Sequence, residues 1–271
     1  MADSSSSLGQ RQEPKFDSSV PQTARIWNYW LGGKDNFPAD RQVGDQILEA
    51  FPEIVENARA SRAFLARAVR YLAGEAGIRQ FLDIGTGLPT ADNTHQVAQA
   101  VAPECRIVYV DNDPIVLAHA RALLVGAPQG ATAYIDADLR DPEKVLQEAA
   151  RTLDFTQPIA IMLMGILGHI ADDGEAQSIV QRLVGAVRSG SYLTMNDGTD
   201  ISEEVVEAAR IWNESANPTY HLRSPDRIAR FFDGLELVEP GVVSPPRWRP
   251  EPSPSGLPAE IASSCGVGRK P

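Results

Sequence analysis

Two cysteines and four histidines in 271 residues are too few for a disulfide framework, and their spacing matches no metal-ligand motif. No metal is expected. Cys105 and Cys265 each fall in an apolar stretch read as strand, which suits buried, reduced thiols. No apolar run reaches the roughly 18 residues that a membrane span requires, and no charged-then-apolar leader is present. A cytoplasmic protein with no membrane partner is therefore expected. Cationic residues are in deficit too: 25 Lys and Arg stand against 36 Asp and Glu, a formal charge of −11. Binding to phosphates depends on Lys and Arg, so no nucleic-acid partner is expected. Residues 1–17 hold almost no aliphatic side chains and read as a disordered tail.

What the chain does have is a series of short apolar runs that close on acids. Phe81-Leu82-Asp83-Ile84 turns at once through Gly85-Thr86-Gly87. The run is too short for a helix and reads as a buried parallel strand followed by a tight turn. Glycines at 85 and 87 permit positive φ and let a ligand approach the backbone. A dinucleotide fingerprint would place a third glycine at the following helix start, where this chain has Thr90, which counts against NAD. A strand-end carboxylate at Asp83 suits instead a cofactor with an ammonium group and no phosphate, and S-adenosylmethionine (SAM) is such a molecule.

A second strand over 105–110 ends at Asp111-Asn112-Asp113-Pro114, with Pro114 opening a helix. Asp111 occupies the ribose-diol position of nucleotide-binding α/β sheets, and Asp113 reads as a helix cap. A third strand over 131–137 ends at Asp138-Leu139, where Asp138 can accept from an adenine amino group. Capping or a solvated loop acid is the competing role for Asp111 and Asp138. A fourth strand over 159–163 runs into Met164-Gly165-Ile166-Leu167-Gly168-His169, and a fifth over 191–195 ends at Asn196-Asp197. Helices are expected from Thr23 (with Thr23 as cap), and over 40–51, 55–75, 92–100, 115–124, 142–151 and 203–215; Asn196-Asp197 either meet a substrate or cap the last of these. Strands over 235–238 and 261–268 close the chain as an edge hairpin. The alternation predicts a mostly parallel seven-stranded sheet with helices on both faces and an antiparallel C-terminal strand.

The motifs Asp83-x-Gly85-x-Gly87, Val110-Asp111-Asn112-Asp113-Pro114 and Asp136-Ala137-Asp138-Leu139 resemble those of class I methyltransferases. More narrowly, the chain is similar to an actinobacterial SAM-dependent methyltransferase family first catalogued as a domain of unknown function. The shared stretches are 24–37, 80–90, Asn93-Thr94-His95, 109–114 and Gly266-Val267-Gly268-Arg269-Lys270. The resemblance implies a Rossmann-like core over 79–271 that binds SAM, preceded by a helical extension over 18–78. It implies transfer to a small-molecule acceptor, such as a secondary metabolite; the alternative is a catalytically silent SAM-binding regulatory or scaffold protein. Trp27, Tyr29 and the turn over 31–36 then fold over the cofactor as a lid, or else Trp27 and Trp30 simply dock the extension on the core. Arg62 grips the methionine carboxylate, or else lies on a solvated helix face. Thr86, Asn112, Leu139, Met164 and Gly165 complete the cofactor site. The end of the fourth strand faces the reacting atoms, which makes His169 and Asp197 the candidate catalytic groups, with His221 behind them; a hydrogen-bonded structural role is the competing reading for His169. The resemblance leads one to expect histidine directly after Leu167, whereas Gly168 stands there and histidine follows it.

Overall fold

The computed structural model describes residues 17–123, 126–254 and 256–271. Residues 1–16 of the expected tail lie outside the described residues; Asp17 itself accepts a hydrogen bond from the Ser19 amide at 2.8 Å. The five apolar runs become parallel strands: β1 (Gln80–Ile84), β2 (Arg106–Asp111), β3 (Ala131–Asp136), β4 (Ala160–Met164) and β5 (Tyr192–Gly198). Two further strands, β6 (Glu236–Leu237) and β7 (Ser263–Arg269), complete a seven-stranded sheet in the order β3-β2-β1-β4-β5-β7-β6. β7 runs antiparallel to both neighbours and lies between β5 and β6, leaving β6 on the edge. Cys105 stands one residue ahead of β2 rather than within it, because pairing starts at Arg106.

Period-two alternation sends neighbouring side chains to opposite faces. Leu82, Ile84, Val108, Val110, Ile161 and Leu163 face one helical layer, while Phe81, Ile107, Tyr109, Ala160 and Met162 face the other. Both faces are covered, which is why these strands read as continuous apolar runs. The first layer holds α6 (Pro142–Ala149), α7 (Asp173–Ala186) and α9 (Pro225–Ala229); the second holds α3 (Ile54–Gly74) and α4 (Thr94–Val101). α7 is an element not expected from the sequence, although its signal is present: Asp172 caps it, and Ala176, Ile179, Val180 and Leu183 recur at helical spacing. At the C-terminus, Lys270 donates to the carbonyls of Val184 and Val187 at 2.9 and 2.7 Å, satisfying orphan acceptors at the end of α7. Gly266 and Gly268 are required by packing, since a Cβ at either would stand 2.9 Å from the Phe232 ring.

Ahead of the sheet come α1 (Thr23–Trp30) and α2 (Pro38–Ala50), which pack with α8 (Glu203–Ser215) around Ile26, Trp30, Val43, Ile47, Phe51 and Trp212. Thr23 is the first helical residue of α1 and not its cap; Gln22 holds the cap position. α8 is capped by Ser202, which is adjacent to its first turn, whereas Asn196 and Asp197 are committed to β5. The α1 and α2 helices are joined through a fully buried ion pair, Arg25 with Asp40 at 3.0 Å. Asp40 also accepts from the amides of Gln22 and Phe37 at 3.0 and 2.8 Å. Asn28 organises the turn after α1 by accepting from the Asp35 amide and the Asn36 side chain, both at 3.0 Å. Among the described residues, no helix is long and apolar enough to cross a membrane, and no cluster of His, Cys, Asp or Glu is arranged to hold a metal ion.

Candidate functional site

The chain runs from β1 outward through β2 to β3 and then returns to place β4 on the other side of β1. This reversal opens a crevice at the carboxyl ends of the strands, the place where open α/β sheets bind ligands. The register brings the strand-end groups to one rim: Ile84 pairs with Val110 and Leu163, and Met164 pairs with Asn196. A cleft of about 1050 Å³, open mouth included, fills the crevice. Its floor is Asp83, Gly85, Thr86, Gly87, Asp111, Asn112, Met164 and Gly165, and its roof includes Trp27, Asn28 and Leu31 of the α1 region. A side lobe continues between Asp111, Asn112, Asp138, Leu139, Ile166 and Pro218.

The backbone of the glycine turn is built to be approached. Gly85 and Gly87 have φ of 75° and 64°, and a Cβ on Gly87 would meet no protein atom within 4 Å. The space beside it is ligand space. Asp111 holds the turn: its Oδ2 accepts from the Gly87 amide and its Oδ1 from the Asp113 amide, each at 2.9 Å. Asp113 caps the helix that follows, α5 (Pro114–Leu123), by accepting from the Ile115 amide at 2.8 Å. Asp83 is buried and accepts from the Thr94 hydroxyl at 2.6 Å. Burial pushes both carboxyls up to about 6. Arg62 reaches the rim from α3 and donates to the carbonyls of Ala91 and Asp92 at 3.1 and 3.2 Å. Its buried Nε has no hydrogen-bond partner, and burial lowers the pKa of its guanidinium. Asp138 accepts from Asn112 at 3.0 Å at the entrance of the side lobe.

Beside this cleft lies a second cavity of about 620 Å³, open mouth included, and the two share Trp27 and Gly165. Asp197 lines the second cavity together with Tyr220, Trp30 and Trp212. His169 belongs to the first cleft and the side lobe. Its Nδ1 lies 2.7 Å from the Thr219 carbonyl oxygen, which can only accept; Nδ1 therefore carries the proton and Nε2 is the acceptor. Burial lowers the pKa of its imidazole, which favours this neutral form.

Similarity to known proteins agrees with this architecture. The model of a family described as "S-adenosyl methyltransferase" matches residues 9–271. The chain belongs to that family. It is 45% identical to a DUF574 family protein from Streptomyces avermitilis, with a TM-score of 0.90 over 94% of this chain and 99% of that one. A Thermobifida fusca protein named as a candidate methyltransferase is also 45% identical, with a TM-score of 0.87 over 97% and 99% of the two chains. Magnesium protoporphyrin IX methyltransferase from Synechocystis, solved with bound S-adenosylhomocysteine (SAH), shares the fold at 12% identity and a TM-score of 0.53, over 91% of this chain and 93% of that one. No curated protein matches the sequence. The chain carries the class I sheet of SAM-dependent methyltransferases.

The cleft of this methyltransferase fits its cofactor on its own evidence. The open space at Gly87, the unpaired Arg62 Nε and the buried Asp83 carboxylate offer a backbone cradle, a cationic donor and an anionic acceptor along one wall. Most of the residues singled out from sequence meet there or in the side lobe. Tyr29 does not: its hydroxyl donates to Asp45 of α2 at 2.6 Å, away from the cleft. Residues two apart on a helix are separated by about 200°, so Trp27 and Tyr29 point in opposite directions. The site also recruits residues not singled out for it from sequence, among them Thr94, Ile166, Pro218 and Tyr220. His221 donates its amide to Gly168, and its ring lies 3.2 Å from the Thr219 hydroxyl, outside both cavities.

The displaced histidine has a packing cause. A Cβ on Gly168 would fall 2.4 Å from the Tyr220 ring, so only glycine fits and His169 takes the next position. Gly168→Ala should push Tyr220 off Asp197 and cost ~1–3 kcal/mol, read as a lowered urea midpoint at unchanged m-value. An unchanged midpoint would show that the ring moves freely.

Proposed function

We propose that this protein transfers the SAM methyl group to a small molecule seated in the second cavity. The observation that carries the reading is the adjacency of the two cavities across Trp27 and Gly165. When bound, SAM supplies an electrophilic methyl group on a sulphonium whose leaving thioether is neutral, so no acid is needed. The chain's own contribution is therefore alignment, exclusion of water and, for a protonated acceptor, a base.

In this reading Arg62 holds the methionine carboxylate and Asp83 the ammonium, each meeting its opposite charge in a buried setting. Asp111 accepts from the ribose hydroxyls while keeping the glycine turn in place. Asn112, Asp138 and Leu139 receive the adenine in the side lobe. Thr86 and Gly87 let the cofactor lie against the backbone, whereas Gly85 makes room for the Ile166 side chain, which a Cβ there would meet at 2.6 Å; Met164 and Gly165 form the passage to the second cavity. Trp27 and Leu31 of the N-terminal extension act as the cover that keeps water out. Asp197 takes the acceptor's proton on Oδ2, which makes no hydrogen bond of normal geometry within the protein. His169 faces the cofactor cleft with a free Nε2 and serves there as a second acceptor.

Isothermal calorimetry with SAM and SAH tests the cofactor assignments. Micromolar binding by the wild type is expected, weakened ~10–100-fold by Asp111→Ala, the range for losing hydrogen bonds to a charged group. Folded protein that binds neither ligand would overturn the proposal. Release of SAH in the presence of an acceptor tests turnover directly.

A further inference from the structure

The second cavity has a chemistry of its own. Three of the chain's four tryptophans line it, namely Trp27, Trp30 and Trp212. The indole N–H groups of two are already used: Trp30 donates to the Gly44 carbonyl at 3.2 Å and Trp212 to the Pro218 carbonyl at 2.9 Å. They present ring surface and no donor. Ile47, Phe51 and Val205 extend the apolar wall. Among the described residues lining this space there is no Lys, Arg or His.

The polar end lies under β5. Ser263 donates to Asn57 Oδ1 at 3.0 Å, so those two satisfy one another in part. The Tyr220 hydroxyl accepts from the Gly198 amide at 3.0 Å and donates to Asp197 Oδ1. Asp197 is 2% exposed; its Oδ1 also accepts from the Gly198 amide at 3.3 Å and the Gly168 amide favours its charged form, while its buried Oδ2 makes no hydrogen bond of normal geometry. The nearby cation, Arg223, directs its donors elsewhere: to Asp173 at 2.8 Å and to the carbonyls of Leu167 and Ile170 at 2.9 and 2.6 Å. A buried carboxylate oxygen without a donor is destabilising, and an incoming N–H or O–H relieves it. An incoming anion would add like charge in a low-dielectric space with no cation on the wall.

We infer that this chamber selects a compact aromatic acceptor carrying one hydroxyl or amino donor, whose ring lies against the tryptophan walls while the donor meets Asp197 Oδ2. Carboxylate- and phosphate-bearing molecules are rejected by the same group. The inference rests on the methyl-transfer reading for calling the occupant an acceptor; the recognition chemistry itself is read from the chamber. Burial raises the Asp197 carboxyl to about 6, so the ionised form prevails at pH 7.5.

The test is calorimetric titration of the full chain at pH 7.5, with and without saturating SAH, using 4-propylphenol, 4-propylaniline and 4-propylbenzoate. Tryptophan fluorescence gives a second readout, because three of the four tryptophans are at the chamber. The phenol, the aniline or both should bind at least 10-fold more tightly than the benzoate. Asp197→Asn should narrow that gap about 10-fold or more. Ala209→Phe, which places a ring in the chamber from α8, should abolish probe binding and leave SAH affinity unchanged; it serves if the Asp197 variant does not fold. Equal or tighter benzoate binding overturns the inference, as does a folded Asp197→Asn protein with an unaltered gap. SAH binding without any phenol or aniline binding overturns it while sparing the cofactor reading; loss of SAH binding in the wild type overturns that reading instead.

Discussion

Asp83→Asn is expected to weaken SAH binding by roughly 100-fold and, in the same protein, to raise the stability of the ligand-free fold. The two effects have one cause. Asp83 is 4% exposed at the wall of the cleft, and burial, which disfavours the charged form, pushes its carboxyl up to about 6 from an ordinary value near 3.8. Its partner inside the protein is the Thr94 hydroxyl, which an Asn oxygen can equally well accept. The Arg62 guanidinium is the cation that acts on it within the protein, and in the proposed function the charge also meets the cofactor's ammonium. Removing one member of a buried charge pair costs ~2–5 kcal/mol of binding, roughly 30- to 4000-fold, and the expected loss of about 100-fold lies in the lower part of that range.

For stability the sign follows from linkage. A carboxyl whose folded pKa is raised contributes stability that is complete below its unfolded pKa and is lost as pH rises through the folded value. Between about pH 4 and 6 the wild type accordingly loses Asp83's contribution, and Asn, which does not titrate, does not. Ligand-free Asp83→Asn should be more stable than wild type by ~1–3 kcal/mol at pH 7.5, with the difference vanishing near pH 4. Thermal denaturation of both proteins across that range decides the matter. A variant less stable than wild type at pH 7.5, or one that binds SAH normally, would remove Asp83 from the cofactor site.

The second large effect concerns the cover of the cleft. Arg25 and Asp40 are 1% and 0% exposed and join α1 to α2, and Asp40 also holds the amides of Gln22 and Phe37. Asp40→Ala strands a buried guanidinium and two backbone donors. Breaking such a pair from one side typically costs ~3–5 kcal/mol. The loss falls on the helices that bring Trp27, Asn28 and Leu31 to the roof of the cleft, while the sheet keeps its own core. Hydrogen exchange should show α1 and α2 opening with β1, β2 and β4 still protected, and SAH binding should weaken in step. Uniform protection in the variant would mean that the ion pair carries little of the extension's docking energy.

These two acids differ in how far the sequence exposes them. Asp83 stands at the end of an apolar run and before a glycine turn, a local pattern that reports both the strand and the carboxylate's place at its edge. The same holds for Asp111 and Asp138, and for the order in which strands and helices alternate. Asp40 offers no such pattern: it sits in the first turn of a helix, where an acid is ordinary, and its burial depends on Arg25 fifteen residues earlier. Cavity walls are likewise invisible along the chain. Tyr29 shares the motif of Trp27, yet helix geometry turns it to Asp45. Gly168 looks like a gap in the pattern until the Tyr220 ring is seen against it.

What the sequence by itself determined is the sheet, the glycine turn and the acids at the strand ends, because each is specified by neighbours within a few residues through periodicity, turn chemistry and burial. Only the tertiary structure decided that Asp197 is left with an unpaired oxygen beside Trp30, Trp212 and Tyr220. That chamber is assembled from α1, α2 and α3 near one end of the chain and β5, α8 and β7 near the other, two groups separated by well over a hundred residues, and packing alone brings them together.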